Sequence, residues 1–395
     1  MKKYKNRLLN IIMNTSAIPG FSKLSLNEKI KILKEFANLN ENDIKLIKKY
    51  QELPDFLEIE NNIGPFKIAN NFLINGKDYF VPMEIEEPSV VAAACRAAKL
   101  VRVGGGFQGT YLDSKMIGQL QLIKIKNIDE AKENLIKNKE KILEFANESD
   151  PVLIRLGGGA KELEIREIKT KYGKNLVLHL IVDTLDAMGA NAVNTMLEKI
   201  SPIVEDLSKG NVCLRIISNF ALKRIVRVKC KIPIKLMERN EFSGEEAAKR
   251  FLEAYSLAEA DIYRAVTHNK GVMNGIDAVA IATGNDFRAI EAGVHSYACK
   301  NGCYKPITKW EINNNFMMGK IEIPLAIATF GGATSSKKAK LALKILRVRN
   351  AKELGIVAAS VGLANNFAAL SVLSTEGIQK GHMKLHQEFL KLTKK

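Results

Sequence analysis

Between Leu24 and Gln51 apolar residues recur every three to four positions, first in LSLNEKIKILKEFANL and then in DIKLIKKYQ, which predicts two amphipathic helices. Ser25, with Glu28 three residues on, has the spacing of a capping box. From 66 to 85 the period shortens to that of strands. FLINGKDYFV sets Asn75-Gly76, both tolerant of positive φ, between two apolar runs, and predicts a tight hairpin. After Glu84-Ile85-Glu86-Glu87, Pro88 occupies the first position of a helix, VVAAACRAAKLVR, whose alanines predict close packing and a central, buried place.

Gly104-Gly105-Gly106 interrupts this region, and from about 112 to 219 the texture changes. A strand (MIGQLQLIKI), a lysine-rich helix (NIDEAKENLIKNKEKILEFAN) and Gly157-Gly158-Gly159 precede two strands (ELEIREIKT, NLVLHLIVD). A helix from Ala190 to Ile200 and a last strand (VCLRIIS) follow. Strand-helix-strand-strand-helix-strand is the split βαβ, ferredoxin-like order. The expected fold is α+β: residues 1–111 and 220–378 form a large mixed domain with a buried central helix, 112–219 an inserted ferredoxin-like domain, and 379–395 a separate end. Neither glycine triplet continues into G-x-G-x-x-G or G-x-x-x-x-G-K-[ST], so a Rossmann or P-loop fold lacks its main support. If a nucleotide binds, the candidate loop is Asp186-Ala187-Met188-Gly189-Ala190-Asn191, where the amides of a following helix start could accept pyrophosphate; an ordinary helix entry has the same pattern.

Composition narrows the class. A chain of 395 residues, 46% hydrophobic and 26% charged, fits a soluble globular protein with about two domains. No apolar run is expected to cross a bilayer, and the basic, apolar opening MKKYKNRLLNIIMN is broken by Asn10 and Asn14, so a cytoplasmic protein is expected. The five cysteines, Cys95, Cys213, Cys230, Cys299 and Cys303, read as reduced, packed thiols, and Cys299 and Cys303 lack the companions of a zinc site; no metal is expected. The net charge of +17 admits a polyanionic small molecule or nucleic acid, but lysines interleaved with glutamates read as solvated faces and no RNA-binding aromatic signature is present.

THNKGVMNGIDAVAIATGNDFRA, from Thr267, carries the sharpest chemistry. Asn269-Lys270-Gly271 and Gly284-Asn285-Asp286 read as two glycine turns presenting Lys270 and Asp286 from either end of a buried segment. Solvated turn charges are the alternative.

Six segments in order resemble the class II hydroxymethylglutaryl-CoA (HMG-CoA) reductases: ENNIG from Glu60, EEPSVVAAA from Glu86, DAMGANAVNTM from Asp186, YRAVTHNKGVMNGIDAVAIATGNDFRAIEAG from Tyr263, FGGAT from Phe330 and TEGIQKGHMKLH from Thr375. The resemblance implies two hydride transfers that convert HMG-CoA into mevalonate and free coenzyme A, or the reverse, in mevalonate and isoprenoid metabolism. It implies four catalytic residues. Lys270 would compensate the oxygen that becomes anionic at each hydride step, with Asp286 holding it charged; Glu87 would give the alkoxide a proton; His382 would protonate the leaving thiolate. Ser89, Arg264, Asn274 and Asn365 would hold the substrate. The dinucleotide would lie on the inserted domain, with Asp186, Met188, Gly189, Asn191 and Asn219 at its phosphates. Asp150 would favour NAD(H) over NADP(H), because a carboxylate accepts from a ribose 2′-OH and repels a 2′-phosphate.

The resemblance further implies a homodimer with shared sites, possibly stacked into a larger oligomer, with neither nucleic acid nor membrane as partner. The chain departs from the family at Asn62, Phe287 and Asn365, none of them a proposed catalytic group, and ends thirteen residues after His382, where the family carries a helical flap. A shortened flap would impair closure, so a catalytically weakened acyl-CoA or nucleotide binder is the alternative. His179, within LVLHLIV, is expected to be a core residue.

Overall fold

The computed structural model describes residues 15–18, 20–21, 24–52 and 66–377. Helices α1 (Leu26–Ala37) and α2 (Glu41–Glu52) form at the predicted places, and the Ser25–Glu28 capping box is present. Strands β1 (Phe66–Ile74) and β2 (Lys77–Glu84) make the hairpin, with Asn75 at φ 50° and Gly76 at φ 77°. Pro88 opens α3 (Pro88–Val103), which lays its alanine face against β1.

After β3 (Gln108–Tyr111) comes β4 (Lys115–Ile123). The lysine-rich helix is two, α4 (Ile128–Lys137) and α5 (Lys139–Asn147), divided at Asn138. Short α6 (Pro151–Arg155), β5 (Gly159–Thr170), β6 (Gly173–Asp183), α7 (Ala190–Ser208) and β7 (Asn211–Ser218) follow. Helix α7 outlasts its expected end at Ile200 and runs through Pro202, because Val193, Met196, Leu197, Ile200 and Val204 continue one buried stripe. The sheet order is β5-β6-β4-β7, every pair antiparallel. β6 thus sits between β4 and β5, as a split βαβ requires. This sheet and its helices share one apolar core, in which Leu120, Leu178 and Leu197 are fully buried.

The remainder comprises β8 (Ile225–Pro233), α8 (Gly244–Ala260), α9 (Ile262–Ala282), α10 (Phe287–Ala298), β9 (Thr308–Asn313), β10 (Phe316–Pro324), α11 (Lys337–Leu346) and α12 (Ala351–Leu373). A second antiparallel sheet, β3-β8-β10-β9, backs these helices around a separate, larger core.

Four expectations are corrected. Asn269-Lys270-Gly271 is no turn: α9 is continuous from Ile262 to Ala282. Its Gly275 serves close approach, since a Cβ there would meet Asn365 Oδ1 at 2.4 Å and the Val361 carbonyl oxygen at 2.9 Å. Asn269 is buried and ties the helix to the segment between α10 and the strand at Thr308, donating to the Lys305 carbonyl at 2.9 Å and accepting from the Ile307 amide at 3.0 Å. The central helix is α12 rather than α3. Of its 23 residues, an 18-residue stretch with mean hydropathy 1.7 passes the length and apolarity test for a bilayer span, contrary to the sequence reading, yet 72% of that stretch is buried within the fold, where the helix packs against α3, α9 and β8. Finally, Cys213, Cys299 and Cys303 are exposed; Cys230 alone is fully packed and Cys95 half-buried. His179 is a core residue as expected, beside Gln119 at 3.0 Å.

Gly275→Ala is expected to destabilise the fold by about 1–3 kcal/mol, because α9 must separate from α12 or distort. A melting temperature equal to that of the parent chain would show that the two helices have slack.

Candidate active site

One cavity of about 470 Å³ gathers most of the anticipated substrate and catalytic side chains. Three local features build it. Glu87 is the N-cap of α3, and the Ser89 hydroxyl, one residue inside, donates to Glu87 Oε1 at 2.7 Å, directing that carboxylate. Lys270 and Asn274 lie one turn apart on α9 and share a face. Asn365, on α12, donates from Nδ2 to the Val90 carbonyl at 2.8 Å, while its buried Oδ1 receives no hydrogen bond. That oxygen is packed against Gly275 of α9, and burying it without a donor is costly.

Two arginines missed in the sequence complete the wall. Arg96 stands two turns after Ser89 on α3, and Arg239 follows the 3₁₀ turn Ile234–Met237. Burial, with the like charge of Arg96, lowers the Arg239 guanidinium to about 10. Arg239 pairs with Glu376, just beyond α12, so the chain leaves the described region beside this cavity. His382 and the ENNIG segment lie outside the described residues.

Behind Lys270 lies a second group that the turn reading hid. Read as a helix, Lys270, Asn274 and Asp277 fall at i, i+4 and i+7 on one face. Asp277 contacts Glu291 of α10 through its carboxyl group, and Glu291 Oε2 is 2.6 Å from His295 Nε2. Burial, then the Glu291 carboxyl, pushes Asp277 well above the ordinary carboxylate range. Glu291 moves the other way, chiefly through its His295 hydrogen bond.

The remaining expected residues lie elsewhere. Arg264 is half-buried at the start of α9, and burial pulls its guanidinium down. Its side chain is not in the cavity wall. Asp286 caps α10 by accepting from the Arg288 and Ala289 amides at 3.1 and 3.2 Å, and it pairs with the Arg288 guanidinium at 3.1 Å. Although partial burial raises its pKa, the Arg288 contact and these amides outweigh it and leave Asp286 below the usual range. Among the described residues Lys270 has no ion pair, so the expected Lys270–Asp286 contact is absent within one chain.

Asp286 instead belongs to a second cluster. Its neighbour Asn285 exchanges hydrogen bonds with Ala328, at 2.7 and 3.0 Å. The Thr329 amide donates to the Asp186 carbonyl at 3.0 Å, and Phe330 bridges Ala187. Asp186 Oδ1 accepts from the Ala351 amide at 2.8 Å, so this carboxylate clamps the start of α12 rather than facing outward. Gly189, at φ 94°, is the N-cap of α7, a Cβ there would meet Thr184, and no side chain caps the first-turn amides. That leaves Asn191 exposed, Met188 half-buried and a helix start able to take an anion. Asn219 is exposed, and its carbonyl faces Gly293 of α10. Asp150 caps α6, accepting from the Leu153 amide at 2.9 Å.

The sequence model of the family described as hydroxymethylglutaryl-coenzyme A reductase matches residues 25–387. The chain belongs to the HMG-CoA reductase family. It is 52% identical to the 3-hydroxy-3-methylglutaryl-coenzyme A reductase of Archaeoglobus fulgidus over 98% of this chain and 88% of that protein. It is 36% identical to the probable reductase of Borreliella burgdorferi, over 95% and 88%. The class II reductase of Streptococcus pneumoniae, solved bound to NADPH in open conformations, superposes with a TM-score of 0.84 at 38% identity, covering 90% of this chain and 99% of that one. Within this reductase fold, the cavity holding Glu87 and Lys270 and the cluster holding Asp286 and the Asp186 loop lie toward opposite ends of α12. Asp186 touches Ala351, whereas the cavity wall begins at Asn365, about 20 Å along the axis.

Asp277 yields a prediction about stability. The folded chain keeps its proton at neutral pH and the unfolded chain loses it, so folding takes up a proton and stability falls as pH rises from the carboxylate range. Asp277→Asn cannot ionise in either state and retains a donor toward Glu291. Its melting temperature should exceed that of the parent chain by a margin that is smallest near about pH 4 and widens toward about pH 8. A margin independent of pH would rule out the buried proton.

Proposed function

We propose that the chain reduces HMG-CoA to mevalonate and coenzyme A, or runs the reverse oxidation, with Lys270 and Glu87 acting in the α3–α9–α12 cavity. The observation that carries this is the convergence of that ammonium and that carboxyl, with the Asn365 amide, on one acyl-sized cavity. A bound nicotinamide dinucleotide supplies the two hydride equivalents. At each reduction the carbonyl oxygen gains negative charge, and the Lys270 ammonium opposes it where solvent is partly excluded. Glu87, directed by Ser89, delivers the proton to the alkoxide. In the first stage the hemithioacetal hydroxyl returns its proton to Glu87 as the carbon–sulfur bond breaks, giving an aldehyde and a thiolate. His382 is the proposed proton donor to that sulfur, since an imidazole titrates near neutrality. Asn274 and Asn365 orient the acyl group; Arg96 and Arg239 add positive charge suited to the anionic substrate, and Arg264 remains a candidate for its carboxylate.

Residues 112–219 form the dinucleotide-binding domain in this reading. The donor set at its surface fits a pyrophosphate: the α7 amides free of a side-chain cap, beside Gly189 and Asn191. Asp186 holds this loop to α12, with Met188 and Asn219 nearby. NAD(H) is favoured over NADP(H) through Asp150, whose carboxylate would oppose a 2′-phosphate. A hydride donor must come within about 3.5 Å of the carbon it reduces. Separation of the two clusters along α12 therefore favours a homodimer in which one subunit's nucleotide loop and Asp286 meet the other's Glu87–Lys270 cavity. A cytoplasmic enzyme accords with this. A binder without turnover is not favoured, given 52% identity to a named reductase and a complete Glu87–Lys270 pair.

Following absorbance of the reduced cofactor with HMG-CoA tests the reading. Lys270→Met should lower kcat by about 10²- to 10³-fold while acyl-CoA binding persists; undiminished turnover would refute the assignment. Asp150→Ser should shift the ratio of kcat/KM for NADH over NADPH toward NADPH by about tenfold. An unchanged ratio would move the specificity determinant elsewhere.

A further inference from the structure

The last turn of α12 is both a wall of the cavity and the start of a clamp. Ser371 and Val372 line the cavity, and the helix ends just beyond them. The Glu376 and Gly377 amides donate back to the Val372 carbonyl at 3.1 and 2.9 Å, and Gly377 takes φ 77°, the left-handed turn that closes a helix end. Three side chains from another part of the fold grip this end. The Arg239 guanidinium pairs with Glu376 Oε1, the Asn240 amide donates to Glu376 Oε2 at 3.3 Å, and Arg250 Nε of α8 donates to the Ser374 carbonyl at 2.7 Å.

The gripping residues are themselves held in place. Arg239 and Phe242 exchange backbone hydrogen bonds at 3.1 and 3.0 Å across a turn in which Asn240 stands at φ 53°. The Phe242 ring lies against the Arg250 guanidinium, 4.5 Å from its centroid, which keeps the second arginine in line. With 14% and 20% of their side chains exposed, Arg239 and Glu376 meet where water screens them little, and removing either leaves the other's charge uncompensated. Arg239 differs in this from Arg96, its companion in the cavity wall, which makes no ion pair among the described residues. Glu376 itself stays outside that wall.

We propose that Arg239, through Glu376, is a positioning residue that fixes the end of α12 at the rim of the cavity and so holds the proton donor to sulfur within reach. The inference rests on the reading of His382 as that donor and deepens it. His382 follows Glu376 by six residues, and an extended chain covers about 3.5 Å per residue, so the tether from the clamp is no longer than about 21 Å. A short tether anchored at the rim raises the local concentration of the imidazole there, and freeing the anchor lowers it. Only the first stage releases a thiolate. Reduction of the free aldehyde uses Lys270 and Glu87 but needs no proton on sulfur, so the clamp serves one stage and not the other.

Glu376→Gln and Arg239→Gln each break the ion pair, and the double variant completes a cycle. With HMG-CoA, each single variant should lower kcat by about tenfold and the double variant no further than the weaker single, while Glu376→Gln keeps KM within about twofold. Reduction of the free aldehyde, followed with the same reduced cofactor, should stay within about twofold of the parent in Glu376→Gln. The amides of residues 375–377 should exchange hydrogen faster in both single variants, a measurement that needs no turnover. Undiminished HMG-CoA turnover in Glu376→Gln, equal losses with HMG-CoA and with the aldehyde, or losses that multiply in the double variant would each overturn the proposal. So would unchanged exchange. His382→Ala with undiminished HMG-CoA turnover would instead refute the proton-donor reading, leaving the exchange to decide whether the pair holds the chain end.

Discussion

Close approach of α9 and α12 is the constraint on which the rest of the structure depends. Gly275 admits Asn365 and Val361, and Gly362 admits Ile276 and Val272; an added Cβ at either glycine would fall within 3.0 Å of its neighbours. Helices this near leave no room for large side chains at the seam, and the polar groups they bear are held rigidly. The Asn365 amide is thereby aimed between α3 and α9, and Lys270, Asn274 and Asp277 are stacked on one stripe. Without that contact there would be three apolar helices and no shaped cavity among them.

The same helices set the proposed catalytic groups apart. One end of α12 receives the Asp186 clamp, and through Thr329 and Ala328 this end is joined to Asn285 and the cap of α10. Glu87 and Lys270 open toward the other end. A rigid pair of core helices cannot bend to close a gap of this size, so assembly of the full set falls to a second subunit in the proposed dimer.

Several features were readable from local pattern because local chemistry decides them. The Ser25–Glu28 box, the Asn75-Gly76 turn and Pro88 at the head of α3 depend on a few neighbouring residues and survive in any tertiary setting. Six ordered segments marked the family, and Glu87, Ser89, Lys270, Asn274 and Asn365 do come together in one wall. The glycines of α9 misled. In isolation a glycine near an asparagine favours a turn, whereas Asn269 is locked to Lys305 and Ile307 and Gly271 continues the helix facing open space.

What the sequence by itself determined, then, is the kind of chemistry and the order of the elements, since hydrophobic period, caps and motif residues act over a few positions. Tertiary structure alone decided which charges face one another. It turned Asp186 toward the start of α12, joined Asn285 to Ala328, and set Asp277 beside Glu291 on a different helix. Contacts of this sort join residues distant along the chain or on separate elements, and their energies depend on burial, which no local window of residues contains.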